Sequence, residues 1–252
     1  MKEDLKMSES YRFPPQYLKA KLSLIDQEIK SLPDVRLGNH GGRVVVRQCS
    51  RVNGKRRVRE YSADKKEGKI LFGQSEYRKK LLKVKKQLEV ILKNAPEVPD
   101  INLSKVDTSY NKEMWEKIRT RDEFEKKQKG YPYKDHLMDS RAEMIVAQCL
   151  DSLGLMYKYE PRIIIKGEEY YPDFIVYLPE FQRCFFIEFL GKLNDDKYIS
   201  RNEFKLMDYL NSGMVINRDL LLFCGYEDSM VNADDMIDDI VALIKKYCRI
   251  YS

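Results

Sequence analysis

Three carboxylates stand where carboxylates are expensive. Glu143 lies in the first turn of a helical run that opens Ser140-Arg141-Ala142-Glu143. Asp173 opens an apolar run as Tyr171-Pro172-Asp173-Phe174. Glu188 lies inside another, Phe185-Phe186-Ile187-Glu188-Phe189-Leu190-Gly191. Carboxylates embedded in apolar strands are costly unless something compensates them, and a divalent cation is the natural compensation. Glu188 follows Asp173 by 15 residues, in what reads as the adjoining strand. Adjacent strands lie about 4.8 Å apart, so the two carboxylates can converge on one cation. Hard oxygen ligands suit Mg²⁺, with Mn²⁺ as a substitute. Mg²⁺ keeps several waters and takes one or two protein carboxylates, which leaves positions for a phosphate oxygen. Such a cation polarises a phosphodiester, lowers the pKa of a bound water and orients its attack. A lysine nearby positions that water or neutralises developing charge; Lys192 and Lys205 follow the third acid.

Each acid also has a structural reading. Glu143 completes a Ser-x-x-Glu capping box with Ser140. Asp173 reads equally as a strand-edge or turn acid. Glu188 is hardest to explain that way, because Phe186, Ile187, Phe189 and Leu190 surround it. The acids Asp234, Asp235, Asp238 and Asp239 read as solvated residues at a helix start, where the helix dipole favours them.

The order of helix acid, Pro-Asp acid, strand glutamate and following lysines resembles the PD-(D/E)XK nuclease superfamily, the restriction-endonuclease-like fold, over residues 138–226. The resemblance implies that Glu143, Asp173 and Glu188 are catalytic and metal-site residues, with Mg²⁺ as cofactor and Mn²⁺ as substitute. It implies phosphodiester hydrolysis, with DNA as substrate ahead of RNA and endonuclease ahead of exonuclease action. The usual family member carries its lysine two residues after the strand acid, where this chain has Leu190. Some branches move the lysine to the following helix. Lys205 is then the first choice for the catalytic lysine and Lys192 the second. The Phe204–Met207 apolar stripe is expected to pack on the sheet, letting Lys205 reach back over its edge to the acids.

Charge is divided along the chain. Residues 43–86 carry 16 Lys and Arg against 4 Asp and Glu, whereas residues 137–252 carry 13 against 20. A basic module that attracts phosphate and an acidic module that holds metal fit that division. Arg43, Arg47, Arg51, Lys55, Arg56, Arg57 and Arg59 are interspersed with valines, so one hairpin face is expected to be basic while the other packs. They are the candidate nucleic-acid-binding residues, their phosphate contacts salt-dependent. No base-reading motif accompanies them.

The elements that must position these residues follow from periodicity. Gln16 to Leu32 has helical spacing and stops at Pro33. Gly38, Gly41 and Gly42 read as a loop. A hairpin over 43–61 turns at Asn53-Gly54, and a long helix is expected over Ser75 to Asn94. Residues 95–109 read as a linker, and Asn111 to Gln128 as a polar helix broken at Gly130-Tyr131-Pro132. The C-terminal part then reads as a helix over Ser140–Leu153 and strands at Met156–Tyr159, Arg162–Lys166, Phe174–Leu178 and Cys184–Leu190. A helix over Tyr198–Leu210, a strand at Leu220–Cys224 and a helix over Met230–Tyr247 complete it. The expected class is α/β, a restriction-endonuclease-like mixed sheet flanked by helices. A smaller helix–hairpin–helix module precedes it. Three parts result: 1–94, the basic module; 95–136, linker and polar helix; 137–252, the nuclease-like domain.

Other classes are excluded or disfavoured. No apolar run is long enough to cross a bilayer, and Met1-Lys2-Glu3-Asp4 lacks a signal peptide's apolar core; no membrane partner is expected. Five scattered cysteines without Cys-x-x-Cys spacing read as free thiols in a reducing, cytoplasmic setting. With only His40 and His136, a histidine zinc site or a Ser-His-Asp triad has little material. The rival readings are a nucleic-acid-binding protein with a degenerate nuclease fold, and an interaction scaffold using the helix over 75–94.

Overall fold

Four of the five apolar runs of the C-terminal half become the strands of one mixed sheet. The computed structural model describes residues 13–52, 55–95, 110–124, 129–192, 194–225 and 232–251, without the side chains at 50–52, 55, 56, 201 and 251. The chain divides into two units, one of Leu18–Glu97 and a larger one of Val98–Ser252 with the residues up to Tyr17. The described part of 95–136 thus belongs largely to the larger unit.

In the smaller unit, α1 (Pro15–Ser31) contributes from Leu18 onward. It is followed by β1 (Val35–His40), β2 (Arg43–Val52), β3 (Lys55–Ser62) and α2 (Lys66–Lys93). The three strands form an antiparallel sheet in the order β1-β2-β3. The expected hairpin is therefore a three-stranded meander, and Gly38 is inside a strand opposite Val45. Gly41 and Gly42 make the tight turn, with φ of 58° and 80°, a pair of left-handed positions that glycine fills without steric cost. The Asn53-Gly54 turn lies outside the described residues. Helix α2 starts nine positions earlier than the apolar spacing suggests, and its first turn contains Gly68. That glycine has a packing reason: a Cβ there would sit 2.0 Å from the Ser62 carbonyl oxygen.

In the larger unit, α3 (Lys112–Lys117) and a 3₁₀ turn (Arg121–Glu123) precede a small hairpin of β4 (Tyr131–Tyr133) and β5 (His136–Met138). Then come α4 (Arg141–Ser152), β6 (Met156–Tyr159), β7 (Ile163–Ile165), β8 (Glu168–Tyr170), β9 (Phe174–Leu178), β10 (Arg183–Leu190), α5 (Asp196–Asn211), β11 (Leu220–Cys224) and α6 (Ala233–Tyr251). The main sheet has the order β11-β10-β9-β6, with β10 parallel to β11 and antiparallel to β9. The run at 162–166 does not join it. It folds back on β8 as a separate hairpin, since Lys166 and Gly167 both adopt positive φ. The expected polar helix over 111–128 is much shorter. It ends at Ile118, whose backbone is extended, and Lys158 caps the end by donating to the carbonyls of Trp115 and Ile118 at 2.8 and 2.9 Å.

All five residues of β9 are buried, each large one worth about 1.5–3 kcal/mol in transfer free energy. One face of the sheet, with Ile175, Tyr177, Cys184 and Phe186, packs with Ile118, Tyr209 and Met214. Phe185 points the other way by strand alternation and meets Tyr247 of α6, ring centroids 6.4 Å apart. None of the five cysteines is disulfide-bonded, and Cys149, Cys184 and Cys248 are buried. No helix among the described residues is long and apolar enough to cross a membrane.

A buried ion pair ties β10 to β11. Arg183 Nη2 donates to Asp219 Oδ1 at 2.7 Å, both side chains being almost wholly buried. Arg218 reaches the other oxygen at 2.7 Å. Removing one partner of a buried pair leaves an uncompensated charge, so Asp219→Ala is expected to destabilise the fold by about 3–5 kcal/mol. Urea unfolding checks this; an unchanged midpoint would mean that water reaches Arg183 in the variant.

Candidate active site

Strand register brings two of the three acids together. Phe174 of β9 is opposite Ile187 of β10, so one step further along the same antiparallel register sets Asp173 opposite Glu188. Asp173 sits just before β9, where its Oδ2 accepts the Phe189 N–H at 2.6 Å. Its carbonyl accepts the Glu160 N–H at 2.8 Å, so the Pro172-Asp173 corner is tied to its neighbours on both sides. Glu188 is 3% exposed and shares the sheet face of Cys184 and Phe186, the one covered by Tyr209 of α5. Lys205 of α5 completes the group. Its Nζ donates to Glu188 Oε1 and to the Tyr171 carbonyl at 3.3 Å.

The electrostatics show a shortage of positive charge. Burial first, then the Glu188 and Glu143 carboxylates, push the Asp173 carboxyl well above the ordinary range, against Lys205 and the Phe189 N–H. Burial also raises Glu188, although Lys205 and the Asp173 backbone N–H oppose it. One ammonium therefore serves two carboxylates. Among the described residues, Glu188 Oε2 is buried without a hydrogen-bond partner. A buried orphan carboxylate oxygen beside a second carboxylate suits a hard divalent cation, so Asp173 and Glu188 fit Mg²⁺ or Mn²⁺.

Glu143 does not join them as a third free carboxylate. Ser140 caps α4 by accepting the Glu143 N–H at 3.1 Å and donates to Oε1 at 2.8 Å. The Oε2 accepts from the Asp139 N–H at 3.0 Å and from the Tyr159 hydroxyl at 2.7 Å. The structural reading of this residue is thus realised, with Asp139 supplying the backbone donor. Among the described residues, no group of three His, Cys, Asp or Glu side chains is placed to hold a metal ion.

Helix α5 is rotated relative to the expected packing. Phe204 is 73% exposed and Met207 50%, so that stripe faces away from the sheet. Lys205 itself faces inward, with Tyr198 and Tyr209, seven positions before and four after, on the same helix face. The apolar pattern of the sequence does not place these tyrosines in the site. Tyr198 lies with its hydroxyl 3.2 Å from the Gly191 N–H and 3.5 Å from the Phe189 carbonyl. Tyr209 is fully buried, its hydroxyl has no hydrogen-bond partner among the described residues, and burial, Glu188 and Asp173 raise its pKa. Spacing of i−7 and i+4 from Lys205 was the available signal. Lys192 lies exposed in the loop after β10.

The basic candidates of the smaller unit are divided between sheet faces. Arg43 and Arg47 share one face with Arg36, which is opposite Arg47, whereas Arg57 and Arg59 share the other with Gln48. The single basic face expected from the sequence does not form, because the register alternates these residues. Arg47 is held by Glu60 at 2.7 Å and by the Asn39 carbonyl at 3.3 Å, while Arg43, Arg57 and Arg59 are exposed. The side chains of Arg51, Lys55 and Arg56 lie outside the described part of the structure. Comparisons with protein-family models, curated proteins and solved structures find no match.

Proposed function

We propose that the chain is a divalent-metal-dependent nuclease of the PD-(D/E)XK type, an endonuclease acting on DNA ahead of RNA. Its restriction-endonuclease-like domain spans 137–252 and its lysine is displaced to the helix after the strand acid. The observation that carries this reading is the Lys205–Glu188 contact beside Asp173. Asp173 and Glu188 hold the cation; Mg²⁺ bound there supplies Lewis-acid polarisation and a more acidic water. Lys205 is held near the reaction centre by Glu188 and the Tyr171 carbonyl, where an ammonium steadies an anionic oxygen. Tyr209 and the apolar face around it limit water behind the acids. The test is cleavage of single- and double-stranded DNA and RNA with Mg²⁺, Mn²⁺ or chelator. Metal-dependent cleavage supports the reading, and its absence on every substrate removes it.

The engagement of Glu143 in its cap favours a second reading, a nucleic-acid-binding protein with a degenerate nuclease fold. Salt-sensitive binding without metal-dependent cleavage distinguishes it. In both readings the segment 43–86 supplies nonspecific affinity. Arg43→Gln, Arg57→Gln and Arg59→Gln combined are expected to weaken duplex binding and flatten its salt dependence, by about 0.9 in log–log slope for each phosphate no longer neutralised. An unchanged slope would show that these arginines do not meet phosphates.

A further inference from the structure

The segment after α3 is pinned beside the residues that lead into β7. Thr120 bridges to Pro161, the Arg121 N–H donates to the Glu160 carbonyl at 2.9 Å, and the Arg162 N–H donates to the Arg119 carbonyl at 2.8 Å. Pinning gathers three guanidinium groups and two rings. Arg119 lies 4.2 Å from the Phe124 ring centroid and Arg162 5.3 Å from it. Arg121 lies 5.5 Å from the Tyr171 centroid. Phe124 is 49% exposed. This ledge runs into the acid–lysine site through direct contacts: the Tyr171 carbonyl accepts from Lys205, and the Asp173 carbonyl accepts the Glu160 N–H.

We propose that this Arg119–Arg121–Phe124–Arg162–Tyr171 ledge binds single-stranded nucleic acid and leads the strand into the Lys205–Glu188–Asp173 site. The inference rests on reading that site as nucleolytic. Alternating cations with the exposed Phe124 ring and the half-buried Tyr171 ring match a flexible strand, whose phosphates meet guanidinium groups while a base stacks on Phe124. A duplex keeps its base faces stacked inside and offers the ledge only phosphates. Each guanidinium has a carboxylate partner: Glu123 at 3.0 Å from Arg119, Glu160 at 3.4 Å from Arg121, and Glu169 beside Arg162. Glu123 and Glu169 are exposed, and exposed ion pairs contribute little net energy, so a phosphate oxygen can replace them. Glu160 is buried and holds Arg121 over Tyr171.

The test is fluorescence anisotropy with labelled short oligothymidylate, oligouridylate and a DNA duplex, in chelator so that no strand is cut. The full chain is used in the Arg43→Gln, Arg57→Gln, Arg59→Gln background, which removes three of the seven basic candidates of the smaller unit, those exposed among the described side chains. Phe124→Ala, at an exposed position, is expected to weaken single-strand binding about tenfold, within the range of base–aromatic stacking. Arg119→Gln with Arg162→Gln is expected to lower the single-strand salt slope by about 1.4, or ~0.7 for each phosphate no longer neutralised. Duplex affinity should not follow Phe124→Ala. Unchanged single-strand binding in Phe124→Ala overturns the proposal, as does an equal loss for duplex. If the unsubstituted chain cleaves with Mg²⁺ while Phe124 proves irrelevant to binding, the ledge fails alone. If Phe124-dependent single-strand binding is present and no substrate is cleaved, the nuclease reading fails alone.

Discussion

Asp173→Ala and Glu188→Ala are each expected to abolish metal-dependent cleavage while leaving the chain folded. The loss should exceed about a hundredfold, since removing even an outer partner of a metal ligand costs 10- to 100-fold. The two carboxylates are opposite one another across β9 and β10, and both are pushed above the ordinary range with burial as the first cause. A carboxyl whose folded pKa is raised stabilises the fold below its unfolded pKa, and that contribution is lost as pH rises through the folded value. Metal-free protein should therefore lose stability as pH rises above the ordinary carboxylate range. Asp173→Asn removes one of the opposed charges, so its melting temperature at neutral pH in chelator should be higher than that of the unsubstituted chain. Cleavage at full rate by either alanine variant, with circular dichroism unchanged, would move the reaction elsewhere.

Lys205→Ala is expected to reduce cleavage about 10²- to 10³-fold, the usual loss when a preorganised donor to a developing charge is removed. Lys192→Ala should leave the rate nearly unchanged. Lys205 reaches Glu188 and the Tyr171 carbonyl, whereas Lys192 lies exposed beyond the strand. Lys205→Ala also leaves Glu188 buried without its ammonium, which raises that carboxyl further. The variant's metal-free stability should then fall more steeply than that of the unsubstituted chain as pH rises above the carboxylate range, a change that Lys192→Ala should not produce. Comparison at equal folded protein and saturating Mg²⁺ decides between them. A large loss in Lys192→Ala with little in Lys205→Ala would reverse the assignment, and small losses in both would favour the degenerate-fold reading.

The sequence alone makes the strands at 156–159, 174–178, 184–190 and 220–224 legible to within a residue, because they are short, mostly apolar runs close to polar or turn residues. It also singled out Glu188, since a carboxylate among Phe186, Ile187, Phe189 and Leu190 has few cheap explanations. Periodicity acts within one element, and it fails where a distant contact decides. The helix expected from Ser75 starts at Lys66, where Gly68 packs against the Ser62 carbonyl. Gly38 reads as loop until Val45 pairs with it. Residues 163–165 look like a sheet strand and instead pair with 168–170. The tertiary structure alone decided which way α5 turns: Phe204 outward and Lys205 inward, because the inner face must meet both the apolar cluster around Tyr209 and the buried carboxylate of Glu188. It added the Tyr159 hydroxyl, sixteen residues away, to the cap that the spacing of Ser140 and Glu143 already predicts. It alone gathered Arg119, Arg121 and Arg162 around Phe124 and Tyr171, since backbone bonds to 160–162, remote in sequence, hold that segment in place.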